Sequence, residues 1–186
     1  MKLIDKILQR ASGKNILIFL TIAVVTFALI GATMMAMMNQ SGILAFLDMR
    51  LFYTFDDVTE YLTALGETGR IYYLYQKIVD SFFPIGYGLG IAFALGYLCK
   101  ESDIESPWNS IILIPIIAAI FDYMENILLT TQIVSFPTIS EVIVSMAAIT
   151  TLLKWIFLSS SIGVLFVGVL VLAVKRRKSD SQKIET

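Results

Sequence analysis

The sequence predicts an all-α polytopic membrane protein: a four-helix transmembrane bundle with a short amphipathic helical cap on the non-cytoplasmic side. Composition is the first reason. Of 186 residues, 57% are hydrophobic and 16% are charged, where a soluble domain carries about 45–50% and about 25%. Mean hydropathy is +0.79. The second reason is length: residues 16–38, 82–99, 108–133 and 155–174 form apolar stretches near the roughly 20 residues that a crossing helix needs. The third is that hydrocarbon leaves backbone groups no outside partner, so each stretch must be helical. A net charge of −1 gives no footprint for nucleic acid. Without histidine, imidazole bases, imidazole metal sites and imidazole haem ligands are excluded. Cys99 stands alone, so no internal disulfide or Cys-rich zinc site can form. No cofactor and no metal are expected.

Residues 1–15 read as a basic cytoplasmic N-terminus. The stretch 16–38 is too long for the apolar core of a signal peptide, and no small-x-small cleavage site follows, so it is read as a retained span. Residues 54–80 form an outer helical segment. Thr54 and Asp57 fit a capping box; Val58, Tyr61, Leu62 and Leu65 follow at helical spacing. Gly66 fits the stop, since glycine enters left-handed conformations cheaply. The helix 55–65 is expected to lie on or near the membrane surface. A second helix is expected to start near Arg70 and run unbroken into span two, kinked by Pro84. Tyr72, Tyr73 and Tyr75 then fall at interface depth. Phe136-Pro137 marks a turn, and residues 139–153 read as a helical lead-in to span four. Residues 175–186 are a polar, frayed cytoplasmic tail, with a basic cluster that anchors the span.

Lysines and arginines fix the orientation. Ten lie before span one, between spans two and three, or after span four; four (Arg50, Arg70, Lys77 and Lys154) lie on the opposite side. Both termini are therefore expected in the cytoplasm, in the cell membrane. Asp48, Arg50 and Arg70 mark the polar outer loop.

The sharpest signal is charge inside the bilayer. Asp122 sits near the centre of span three, where a carboxylate costs about 2.5–3.5 kcal/mol on insertion scales. Glu125 and Asn126 follow at i+3 and i+4 on one helix face. Ala118 and Ala119 lie a turn earlier on that face, where small residues admit a neighbouring helix. Lys154 enters span four and Asp80 enters span two from the same side. Tyr73, Lys77, Asp80, Pro84 and Tyr87 recur at a seven-residue rhythm. A ligand or ion pocket is therefore predicted from Asp80, Asp122, Glu125, Asn126 and Lys154, with Tyr73 and Tyr87 nearby, opening to the non-cytoplasmic side. The rival reading is a network that pins helices, with Lys154 on Glu125 and Tyr87 on Asp122. Buried pairs often add little net stability, which favours a site. Gly86, Gly88 and Gly90 read as close helix packing, Met34, Met35, Met37 and Met38 as a lipid-facing helix end, and Cys99 as an unmodified thiol.

The runs Asp48-Met-Arg50-Leu-Phe-Tyr53, Leu65-Gly66-Glu-Thr-Gly69-Arg70, Asp80-Ser-Phe-Phe-Pro84, Phe121-Asp122-Tyr-Met-Glu125-Asn126 and Leu153-Lys154-Trp155 resemble a family of small four-span prokaryotic membrane proteins of unassigned function. The resemblance covers residues 48–155 and implies a shared architecture without a chemistry. A fainter similarity is to the EXPERA group, which includes the emopamil-binding sterol isomerase and the sigma-2 receptor and whose members bind sterols or amphiphilic amines in a bundle cavity. No motif matches closely enough to carry residues over, and the lack of histidine speaks against histidine-assisted isomerisation.

Three functions follow as expectations. The first is binding or transport of a lipid, amphiphile or cation at the acidic pocket. The second is an intramembrane enzyme using Asp122 or Glu125 as acid or base on a lipid-like substrate. The third is a structural or accessory membrane subunit. Expected partners are membrane lipids, a hydrophobic or cationic small molecule, and a further copy in a homo-oligomer.

Overall fold

The computed structural model describes residues 3–41, 46–102 and 108–184, without the side chains of residues 40, 41, 48, 108 and 178–184. Its elements are α1 (Leu3–Arg10), α2 (Gly13–Ser41), α3 (Phe55–Asp80), α4 (Phe83–Glu101), α5 (Ile114–Ser135) and α6 (Glu141–Ile184), with short 3-10 turns at Leu47–Met49 and Trp108–Leu113. No strand occurs among the described residues. Among the described residues, four segments are long and apolar enough to cross a membrane: Gly13–Asn39, Phe55–Glu101, Asn109–Ser135 and Glu141–Arg177. The chain is an all-α polytopic bundle.

The N-terminus is not a plain basic tail. Leu3, Ile4, Ile7 and Leu8 fall on one face of α1, and Ile7 is buried. Lys100 Nζ donates to the Ala11 carbonyl at 3.0 Å and to the Leu8 carbonyl at 3.4 Å, satisfying the open end of this short helix with a cation. Both chain ends lie at the same end of the bundle, since Arg176 pairs with Glu101 at 2.8 Å near that α1–α4 contact.

Glycine sets the packing of α2 on α4. A Cβ on Gly86 would lie 2.5 Å from the Ala23 backbone nitrogen, and one on Gly90 would lie 2.8 Å from Leu20. Gly88 meets Ala119 of α5 in the same way, at 2.9 Å. The glycines of span two are thus close-contact positions, as their spacing suggests. α5 packs on α4 and α6, and α3 packs on α2; α2 and α6 share no extensive contact, so the bundle is open along that side.

Over the open end, the cap forms as its sequence dictates. Thr54 accepts from the Asp57 amide while the Asp57 carboxylate accepts from the Thr54 amide. Val58, Tyr61, Leu62 and Leu65 are all buried, so this face lies on protein. Gly66 takes φ 63°, ψ −177°, a region essentially restricted to glycine. The Arg70 guanidinium returns across this break to the Leu62 carbonyl at 2.8 Å and stacks 4.3 Å from the Phe136 ring centre.

Several expectations need correction. The helix resumes directly after Gly66 rather than near Arg70, and it does not run unbroken into span two: it ends at Asp80, turns through Ser81 and Phe82, and restarts at Phe83 with Pro84 in its first turn. The first six residues of the third span are 3-10 helix, ahead of Pro115. The polar tail continues the last helix to Ile184 instead of fraying. Met37 is fully buried, with the Tyr61 hydroxyl 3.8 Å from its sulfur, so the methionine run is only partly lipid-facing. Cys99 is buried in the core. Tyr73 is no interface anchor: it is fully buried, stacked on Phe46 at 5.4 Å and edge-on to Tyr61 at 5.5 Å.

Candidate functional site

α5 brings its polar residues to one face. Pro115, Ala118, Ala119, Asp122, Glu125, Asn126, Leu129, Gln132 and Ile133 are buried, while Ile120, Ile127 and Val134 are exposed. The two alanines let α4 approach, and one turn later the polar groups meet partners from three other helices.

Lys154 of α6 is the centre. Its ammonium pairs with Glu125 Oε2 and lies 3.5 Å from Asp122 Oδ1. Tyr87 of α4 donates to Asp122 Oδ2 at 3.0 Å. Thr151, one turn before Lys154, donates to Glu125 Oε1 at 2.6 Å, and Tyr53 reaches Thr151 at 3.0 Å. On the other flank Lys77 of α3 donates to Asn126 Oδ1 at 2.9 Å and sits 5.1 Å from the Tyr73 ring centre. All seven predicted pocket residues are buried, from 0% exposed at Glu125 and Tyr73 to 6% at Asn126 and Lys154. Tyr73 contributes a ring beside Lys77; the others contribute polar groups.

Sequence reasoning left out three participants. The spacing of Lys77 puts it on the right helix face but does not assign it to the pocket. Thr151 and Tyr53 carried no signal of their own; a search for hydroxyls one turn from Lys154 would have found Thr151. Arg50 and Arg70 stand apart from the cluster: Arg50 lies 3.6 Å from Asp57 at the exposed cap, and Arg70 closes the Gly66 break. The Asp48 side chain lies outside the described residues.

Beside the cluster is a cavity of about 130 Å³, lined by Phe27, Ile30, Gly31 and Met34 of α2, Met49, Phe83, Trp155 and Leu158, with Asp80, Asp122 and Lys154 as its polar wall. Phe27 and Met49 are more than half exposed, which puts its mouth along the open side between α2 and α6. The cap end is covered instead by buried Phe46, Leu47, Tyr53 and Leu62. Glu125 does not line the cavity. Two kinds of acid therefore coexist: Glu125 is held within the packing by Lys154 and Thr151, whereas Asp80 and Asp122 border open space. Compared with known proteins, the chain matches no family model, no curated protein and no solved structure.

Proposed function

We propose that this protein is a cell-membrane receptor or carrier for an amphiphile with a cationic head, held in the cavity between α2 and α6, and that both termini are cytoplasmic. The observation that carries the reading is the cavity itself: two buried carboxylates, Asp80 and Asp122, beside the single ammonium of Lys154, in a wall otherwise apolar. Charge count sets the sign of the head. Among the described residues, Asp80, Asp122 and Glu125 bring three carboxyls and Lys77 and Lys154 bring two ammoniums, a balance that favours an organic cation. Neutrality matters because each intramembrane charge costs about 2.5–3.5 kcal/mol. Size sets how much enters. A cavity of roughly 150 Å³ admits a benzene-sized body, so this one takes a head and its first carbons, and the tail leaves through the apolar mouth into lipid. Ten basic residues against four support the orientation.

Glu125 serves a different end in this reading: it fixes α5 to α6 so that Asp122 faces the cavity. The test is a titration of purified protein in neutral nanodiscs with dodecylamine, dodecanol and dodecanoate, read from Trp155 fluorescence in a Trp108→Phe background. The amine binds about 10-fold or more tighter than the alcohol, as a charged hydrogen bond provides, and Asp122→Asn removes that preference. Equal binding of the three probes, or an amine preference untouched by Asp122→Asn, contradicts the proposal.

A further inference from the structure

A second groove lies at the opposite end of the bundle, where the chain termini are. It measures about 480 Å³ and is walled by three helices. α1 presents Lys6 and Arg10, one helical turn apart; α2 gives Asn15 and Phe19; α4 gives Leu89 and Phe93, also one turn apart. Phe19 and Phe93 touch at 5.5 Å between ring centres and form an apolar floor. Lys6 and Arg10 are exposed at the rim, and neither is in an ion pair among the described residues. Asp5, the carboxylate of α1, does not line the groove.

The wall bearing the cations is fixed in place. Ile7 and Ala11 are buried, and a Cβ on Gly96 would lie 3.1 Å from Ala11 Cβ, so α1 is seated closely on α4. Asn15 Nδ2 donates to the Arg10 carbonyl at 2.7 Å, and Lys100 holds the next turn. Two unpaired cations above an aromatic floor, at the level where a transmembrane helix begins, match a phosphodiester joined to an acyl chain. Basic pockets between membrane helices bind anionic head groups on this principle.

We infer that this groove is a binding site for one anionic phospholipid, with its phosphate on Lys6 and Arg10 and an acyl chain over Phe19, Leu89 and Phe93. The inference is independent of the amphiphile cavity and shares no residue with it. Free phosphate has no use for the floor, which is why a lipid is the occupant.

The test is native mass spectrometry of the protein in neutral detergent, given phosphatidylglycerol and phosphatidylcholine of identical chains. Wild type retains phosphatidylglycerol preferentially. Lys6→Gln with Arg10→Gln weakens that preference about 30-fold, from the surface attraction of two cations combined, whereas Lys6→Arg with Arg10→Lys keeps it. Lys175→Gln with Arg177→Gln leaves it unchanged, and millimolar inorganic phosphate does not displace the lipid. Wild-type preference in the Lys6→Gln, Arg10→Gln variant overturns the inference. So does an equal loss in the Lys175, Arg177 variant, which reports diffuse attraction to basic termini, or displacement by inorganic phosphate.

Discussion

Replacing Lys154 with methionine removes an ammonium that lies within 4 Å of both Asp122 and Glu125. The apolar stem volume is kept, so the loss is electrostatic. Removing one partner of a buried pair costs about 3–5 kcal/mol in soluble proteins. Polar contacts in one membrane protein average only about 0.6 kcal/mol, and the two figures must be reconciled. The small value describes hydrogen bonds whose groups find other partners in the unfolded state. A carboxylate at 0% exposure, as at Glu125, finds less such relief, so the expected destabilisation lies between the two figures, at about 2–3.5 kcal/mol. Adding Glu125→Gln recovers the part that this carboxylate causes, and the remainder reports Asp122, which keeps Tyr87 but loses its ammonium neighbour. SDS-driven unfolding in mixed micelles, followed by far-UV circular dichroism, measures both. A Lys154→Met loss below about 0.5 kcal/mol, or a double variant no more stable than Lys154→Met, refutes the reasoning.

Three further outcomes follow from packing and backbone geometry. Gly86→Ala drives a methyl into the Ala23 backbone, and the same unfolding assay should show a loss of about 1–3 kcal/mol; Gly163→Ala, with nothing within 4 Å of its Cβ, should be neutral or stabilising by up to about 1 kcal/mol. Gly66→Ala has open space but the wrong backbone, so it should cost about 1–3 kcal/mol and raise hydrogen exchange across residues 55–70. The Asp57 carboxyl is held below its ordinary 3.8 by the hydroxyl and then the amide of Thr54, with a smaller contribution from Arg50. Its contribution to the cap is therefore complete above that value and is lost as the pH falls through the lowered one. Exchange protection of the first turn of α3 should be flat from pH 8 to 5, fade only below 3.8, and be about 1 kcal/mol weaker throughout in Thr54→Ala.

Much of this architecture was legible because the bilayer imposes strong rules on composition. Span positions, the capping box at Thr54, the Gly66 break and the close-packed glycines of α4 each follow from local chemistry. The polar face of α5 was legible too, since i, i+3 and i+4 spacing fixes direction without tertiary knowledge. What the residues did not disclose depends on how elements meet. Tyr73 reads as an interface anchor by composition, yet the cap folds over it and makes it core. The break at Ser81 and Phe82 has no strong local signal beyond Pro84. α1 reads as a basic tail by the charges of Lys2, Lys6, Arg10 and Lys14, although Leu3, Ile4, Ile7 and Leu8 carry helical periodicity. Thr151 and Tyr53 became visible only when α6 and the cap were brought against α5.

Entry of an organic cation between α2 and α6 is the central proposal, and photo-cross-linking tests it most directly. A long-chain alkylamine with a diazirine two or three carbons from nitrogen is irradiated with the protein in native membranes, and the adducts are mapped by peptide mass spectrometry. Labels on Phe27 to Met34 of α2 and on Trp155 to Leu158 of α6, suppressed in Asp122→Asn, are the predicted result. Labels spread over Ile120, Ile127 and Val134 on the outer face of α5, with no response to Asp122→Asn, would contradict it.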